Sequence, residues 1–139
     1  MEFAIGIILA AAVCTFALLT GLDRERAFYS TVLIVIATYY ILFAAMGGSR
    51  FALTMESLVA VGFAVLAVAG FKRNFWLVAG GLAGHGIFDF FHHRLIQNAG
   101  VPAWWPGFCM SWDVFAGIFL AVLLARRSES GRMVSGQPK

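Results

Sequence analysis

Charged side chains are scarce in this sequence. They make up 12% of its 139 residues, whereas 61% of the residues are hydrophobic. A soluble domain carries about 25% charged and about 45–50% apolar residues, so this composition excludes an ordinary soluble globular domain. It is typical of an integral membrane protein instead.

Signals of several other protein classes are also missing. The formal net charge is only +3 and no basic stripe follows a helical face, so we predict no nucleic-acid partner. Met1 and Glu2, ahead of the first apolar run, carry no basic side chain, which argues against a cleaved signal peptide. No internal repeat is visible, and five apolar runs do not divide into equal halves as the inverted repeats of transporters do.

Five apolar runs account for most of the chain. Each contains about 16–21 residues, close to the ~20 that an α-helix needs to cross the hydrocarbon core of a bilayer. A helix also satisfies its own backbone hydrogen bonds within lipid. We therefore predict an all-α integral membrane protein, a bundle of five transmembrane helices at approximately residues 3–19, 27–46, 51–71, 75–93 and 110–125.

The basic residues between these runs predict the orientation of the bundle. Eight of the ten lysines and arginines follow the first, third or fifth run, and only Arg50 and Arg94 lie on the other side. Because basic loops stay in the cytoplasm, we predict that the N-terminus lies outside and the C-terminus lies in the cytoplasm. The expected location is the plasma membrane, which is the inner membrane in a bacterium. Residues 1–127 would form the transmembrane domain, and residues 128–139 a disordered polar tail in the cytoplasm.

The strongest functional signal lies in the fourth run. His85, Asp89 and His92 are spaced i, i+4 and i+7, so they project from one face of a helix, and His93 follows directly. A charged side chain at the centre of a bilayer costs about 2.5–3.5 kcal/mol on insertion scales. Such residues are therefore usually paired, bound to a metal or functional.

Two further carboxylates are expected at the same depth as this motif. Glu56 lies near the start of the third run and Asp113 near the start of the fifth, and both runs begin outside. All three histidines and the three intramembrane carboxylates should therefore lie in the outer half of the bilayer. This convergence predicts one site that faces the exterior or periplasm.

Histidine and carboxylate side chains together form a ligand set for zinc, iron or manganese. We predict a divalent metal at this site, with zinc or iron as the first choices. The predicted metal ligands are His85, Asp89, His92 and His93. The predicted catalytic residues are Glu56 and Asp113, since a carboxylate beside a metal can act as a general base.

Structural roles compete with this interpretation at several positions. His93 and Arg94 would end the fourth helix at the interface, where long side chains reach the lipid headgroups. Asp113 would stabilise a helix start through the helix dipole. Gly80 and Gly84 form a small-xxx-small pair, which predicts a close approach of another helix to the fourth.

The longest predicted loop, residues 95–109, joins the two runs that carry most of the site. Trp104 and Trp105 would anchor this loop at the membrane interface, or the loop would cover the site as a lid. Cys109 at its end, with nearby methionines and the histidines, would offer softer ligands. Copper(I) is therefore a minor alternative metal.

Three functional classes fit these observations. The first is a membrane-embedded, metal-dependent hydrolase or oxidoreductase that acts on a lipid or another hydrophobic substrate from the outer leaflet. The alternatives are an accessory or cofactor-binding subunit of a larger membrane complex and an ion or proton transporter. The expected partner is membrane lipid, and a homo-oligomer also stays open. The apolar inner halves of the runs count against a continuous proton route.

Overall fold

The computed structural model describes residues 1–134, and over this part of the chain the protein is an all-α bundle. The prediction of five helices is confirmed. Their bounds are Glu2–Thr20 (α1), Arg26–Gly47 (α2), Arg50–Lys72 (α3), Trp76–Leu95 (α4) and Trp105–Val134 (α5). A short 3₁₀ turn at Leu22–Arg24 joins α1 to α2.

The local sequence explains the tight connections. Gly21 and Gly48 end α1 and α2, and their φ angles of 80° and 71° lie in the left-handed region that glycine adopts without a steric cost. Ser49 follows directly and caps α3, because its side-chain oxygen accepts a hydrogen bond of 3.2 Å from the backbone N–H of Ala52. The second and third helices therefore form a hairpin with a very short turn.

The first helix packs mainly against the last. Gly6 lies against Ser111, and Gly107 lies against Phe3, so α1 and α5 run parallel. α4 lies between α5, α3 and α2, with its most extensive contact on α5. His85, Asp89 and His92 of α4 are therefore enclosed by the other helices.

Four of the five helices are long and apolar enough to cross a membrane. They are α1, α2, α3 and the Trp105–Ser130 part of α5. α4 is not among them, and it is the helix that carries all three histidines and Asp89. Outward-pointing side chains such as Ile8, Leu58 and Val65 are more than half exposed, which is the apolar surface that a bilayer would cover.

The bounds of α5 differ from the prediction at both ends. The helix begins at Trp105 rather than near residue 110, because Pro106 occupies its first turn, where a missing N–H costs nothing. It also continues to Val134, so residues 128–134 are helical where we predicted a disordered tail. Arg127 favours this extension, since its side chain is bonded to Asp23. The rest of the predicted tail, residues 135–139, lies outside the described residues.

Candidate metal centre

Three buried side chains from two helices meet inside the bundle. His85 and Asp89 lie on successive turns of α4, and Asp113 lies on the third turn of α5. Nδ1 of His85 is 2.7 Å from Oδ2 of Asp113, a hydrogen-bond distance, and 3.3 Å from Oδ2 of Asp89. One potential ligand atom of each residue lies within 4.8 Å of the other two, so the three residues could hold a metal ion. We call them the His–Asp cluster.

The carboxylates of this cluster are buried without sufficient partners. The exposed fraction is 1% for His85 and 0% for both Asp89 and Asp113. Neither oxygen of Asp89, nor Oδ1 of Asp113, has a hydrogen-bond partner within residues 1–134. Buried polar atoms are normally hydrogen-bonded, because an unpaired one costs about 1–3 kcal/mol, and more if it is charged. Three buried oxygens therefore lack the hydrogen bonds that normally offset the cost of burial.

The formal charges of the His–Asp cluster do not cancel. With both aspartates ionised and His85 neutral, the cluster carries two negative charges in a low-dielectric interior. A protonated His85 would still leave one of them uncompensated. A divalent cation bound by the three side chains would cancel both charges and coordinate the unpaired oxygens, whereas the competing solution is to protonate the carboxylates.

Glycines let α4 and α5 approach closely enough to form the cluster. A Cβ atom on Gly86 would lie 2.9 Å from a backbone oxygen of α5, and one on Gly117 would lie 2.8 Å from the backbone nitrogen of Ala83. Gly80 and Gly84 behave differently, because a Cβ placed on either has no described atom within 4 Å apart from its chain neighbours and the adjacent backbone of α4. The prediction that this small-xxx-small pair forms the close helix contact is therefore wrong for the contacts within this chain.

His92 forms a second buried group with Glu56. Nε2 of His92 is 2.7 Å from Oε1 of Glu56, and Asn98 donates a hydrogen bond of 2.9 Å from Nδ2 to the same oxygen. Both partners are buried, with side-chain exposures of 2% and 1%. Tyr40 stacks on the imidazole, with ring centroids 4.0 Å apart. We call His92 and Glu56 the His92–Glu56 pair.

Aromatic rings connect this pair to the His–Asp cluster. The ring centroid of Phe88 is 6.0 Å from that of His85 and 5.6 Å from that of His92. The ring centroid of Tyr40 is 6.3 Å from that of His85, and its hydroxyl also lacks a hydrogen-bond partner in the described part of the chain. The two groups are thus adjacent parts of one buried polar region.

Asp113 occupies a different position from the one that the sequence suggested. It lies eight residues beyond the first residue of α5, so the interpretation as a residue that stabilises a helix start does not hold. We predicted it as a catalytic carboxylate, and the structure places it among the candidate ligands.

His93 is the predicted ligand that the structure leaves out of both groups. Its side chain is exposed, next to the buried His92, because consecutive residues point in different directions on a helix. No hydrogen bond or ion pair of its imidazole occurs within residues 1–134. This exposure agrees with the alternative role of His93 at the end of α4.

Two interactions were missed in the sequence. Asn98, in the connection between α4 and α5, holds Glu56 and also donates to the backbone oxygen of Tyr40 (3.2 Å). Asp23, in the charged turn between α1 and α2, is 1% exposed and is bonded by Arg127 from the far end of α5. An asparagine in a loop and a pair separated by about a hundred positions give no local pattern that could have revealed them.

The comparisons with known proteins give no family for this chain. No protein-family model, no curated protein and no solved structure matched it. Any functional inference therefore rests on the geometry of the buried polar region.

Proposed function

We propose that this protein is a membrane-embedded enzyme whose His–Asp cluster binds one divalent metal ion. The observation that carries the proposal is Asp89, which is fully buried with neither oxygen hydrogen-bonded, beside His85 and Asp113. A structural carboxylate would be expected to have hydrogen-bond donors around it. A ligand carboxylate has its oxygens free for the ion.

The donor set favours zinc or iron, with manganese next. One imidazole nitrogen and two carboxylates are borderline to hard ligands, and three protein ligands leave a coordination position open for water or substrate, as catalytic zinc sites do. Cys109 lies one turn before Asp113 on α5 but is not a member of the cluster. Copper(I), which prefers sulfur, is therefore a weaker candidate.

His85 would bind the ion through Nδ1. Both carboxylates lie on that side of its ring, with Oδ2 of Asp113 at 2.7 Å and Oδ2 of Asp89 at 3.3 Å. Metal binding then requires a neutral imidazole, with Asp113 and Asp89 in their carboxylate form.

The His92–Glu56 pair is suited to proton transfer next to the ion. A carboxylate that holds one imidazole nitrogen orients the ring and stabilises its protonated form, which is the relation between a general base and its orienting residue. Asp89 and His92 are three residues apart on α4, a rise of about 4.5 Å, so the pair lies about one turn from the cluster. We therefore assign His92 as the proton acceptor and Glu56 as its positioning residue.

The same proposal includes the membrane topology. All five helices would span the bilayer, with α4 tolerated as a polar span because α2, α3 and α5 enclose it. The excess of basic residues after α1, α3 and α5 supports an outside N-terminus and a site in the outer half of the plasma membrane. A hydrophobic substrate would then reach the site from the outer leaflet, for a hydrolytic or oxidoreductive reaction.

Cobalt(II) loading of the purified protein in detergent tests this proposal. Binding of Co²⁺ by one imidazole and two carboxylates should give visible absorption bands at a stoichiometry of one ion per chain. These bands should disappear in His85→Ala and Asp113→Ala and remain in His93→Ala, the matched control from the same helix. Identical spectra in the wild type and all three variants would show that the His–Asp cluster is not the metal site.

A further inference from the structure

A long apolar groove opens on the side of the bundle and reaches the His–Asp cluster. It lies between α1 and α2, with α5 as its floor, and its volume is about 970 Å³. This is near the upper end of the ~300–1,000 Å³ that ligand pockets usually occupy. Asp113, which is fully buried and has an unpartnered Oδ1, forms part of the floor.

The groove is long enough for one lipid chain. Its wall on α2 extends from Phe28 to Tyr39, eleven residues apart, which at 1.5 Å per residue is about 16 Å. The chains of one lipid fill half of a typical hydrocarbon core, about 15 Å. The lining on α1 and α5 continues to Glu2 and Trp105, so the groove extends across the middle of the proposed bilayer. Because α1 and α2 are both apolar enough to cross a membrane, the opening between them would face lipid rather than water.

The two ends of the groove differ in polarity. At one end lie Tyr39, Trp104 and Trp105, together with the carboxylate of Glu2. Tyr39 and Trp105 pack edge to face, with ring centroids 5.3 Å apart. Tyrosine and tryptophan prefer the level of the lipid headgroups, where one end of the ring is wet. The opposite end, around Phe28, is apolar. The groove is therefore polar at one end and apolar at the other, as a lipid molecule is.

We infer that the groove binds one hydrocarbon chain of a membrane lipid of the outer leaflet, with the headgroup at the aromatic end. Asp113 lies eight residues along α5 from Trp105, about 12 Å below that end. The lipid would therefore present its chain, not its headgroup, to the His–Asp cluster. This deepens the proposed function and rests on it for the role of the cluster: the substrate would be a long-chain lipid whose reactive group lies within the chain.

Quenching of tryptophan fluorescence by brominated lipid tests the inference. Trp104, Trp105 and Trp112 line the groove, whereas Trp76 does not, so the Trp76→Phe protein reports from the groove alone. The protein is reconstituted in phosphatidylcholine vesicles that contain a small, increasing fraction of phosphatidylcholine brominated in the middle of one chain. A lipid site in the groove gives quenching that saturates at a low fraction of brominated lipid.

A matched pair of variants in the Trp76→Phe protein separates the groove from the general lipid surface. Thr31→Phe with Val35→Phe places two rings in the groove at positions i and i+4 of α2, whereas Val61→Phe with Val65→Phe does the same on the exposed surface of α3 outside it. We expect the saturable quenching to be lost in the first variant and retained in the second. Equal quenching in both would overturn the inference. If the first variant does not fold, Leu9→Phe blocks the groove from α1 with the same expected loss.

Two additional measurements test the orientation and keep this inference separate from the metal proposal. In a protein that retains only Trp112, the neighbour of Asp113, bromine in the middle of the chain should quench more strongly than bromine next to the carbonyl group. The reverse order would overturn the orientation.

Metal content is measured on the same samples. Saturable quenching without bound metal would contradict the metal site and support the lipid site. Bound metal without saturable quenching would contradict the lipid site and support the metal site.

Discussion

His85 and Asp113 are 28 positions apart in the sequence, and Nδ1 of the first lies 2.7 Å from Oδ2 of the second. This contact joins α4 to α5 at the point where both helices carry buried polar residues. The His–Asp cluster therefore exists only while these two helices keep their separation and register. Packing between the helices, and not a local motif, holds the candidate site together.

Replacing Gly117 by alanine should disrupt the site from a distance. The added Cβ would lie 2.8 Å from the backbone nitrogen of Ala83, so α5 must move away from α4. Overpacking of this kind costs about 1–3 kcal/mol, and we also expect weaker metal binding because Asp113 moves with the helix. Thermal unfolding and metal titration of the purified variant measure the two effects.

Gly80→Ala is the matched control for this substitution. It adds the same methyl group to a helix position with no described atom within 4 Å apart from its chain neighbours and the adjacent backbone of α4. Alanine favours a helix over glycine by about 0.5–1 kcal/mol, so stability should stay the same or increase. An equal loss of stability in both variants would show that the α4–α5 contact is not the cause.

The His92–Glu56 pair should be strongly coupled. Glu56→Ala leaves the buried His92 without its partner and removes one acceptor of the half-buried Asn98, and removing one partner of a buried pair costs about 3–5 kcal/mol. The double variant His92→Phe with Glu56→Leu should be less destabilised than the sum of its single variants, because both polar groups are removed together. A double-mutant cycle of unfolding free energies gives this coupling, and additive values would contradict the pair.

Asp23 and Arg127 should stabilise the opposite end of the bundle. Arg127→Ala leaves a buried carboxylate without its donor, which costs about 1–3 kcal/mol of unfolding free energy. Arg126→Ala removes the same charge from an exposed position whose side chain has no carboxylate partner among the described residues, and should be neutral. Metal content should not change in either variant, since this pair lies far from the His–Asp cluster. A drop in bound metal would reveal a link between the two ends that the structure does not account for.

The topology can be tested by cysteine labelling in intact cells. The two native cysteines, Cys14 and Cys109, are buried, so they give a low background. Gln97→Cys and Arg73→Cys introduce exposed thiols at the two ends of α4. We expect a membrane-impermeant maleimide to label residue 97 and not residue 73. Labelling of both would mean that α4 does not cross the membrane, and labelling of residue 73 alone would reverse the orientation.

The sequence was sufficient for the elements of this fold but not for the way they meet. The periodicity of α4 predicted that His85 and Asp89 share a face, and the apolar runs predicted all five helices. Spacing along one helix could not show that His92, on the same face, would pair with Glu56 of α3 instead of joining His85. That choice depends on the rotation of α3 and α5 about their own axes.

The errors have similar physical causes. Pro106 lies inside the loop that we predicted for residues 95–109, although proline is well suited to the first turn of a helix, and this hid the depth of Asp113 in α5. Gly80 and Gly84 looked like a contact surface, but Gly86 and Gly117 fill that role. A glycine spacing alone does not show which face of a helix meets a neighbour.

The most direct test of the account is elemental analysis of the protein purified in detergent without added metal, with wild type beside Asp89→Ala. Asp89 offers two buried oxygens that no described donor satisfies, so it should bind the ion directly. We predict about one zinc or iron per chain in the wild type and a loss of that metal in the folded variant. No metal in either protein, or equal metal in both, would contradict the central claim.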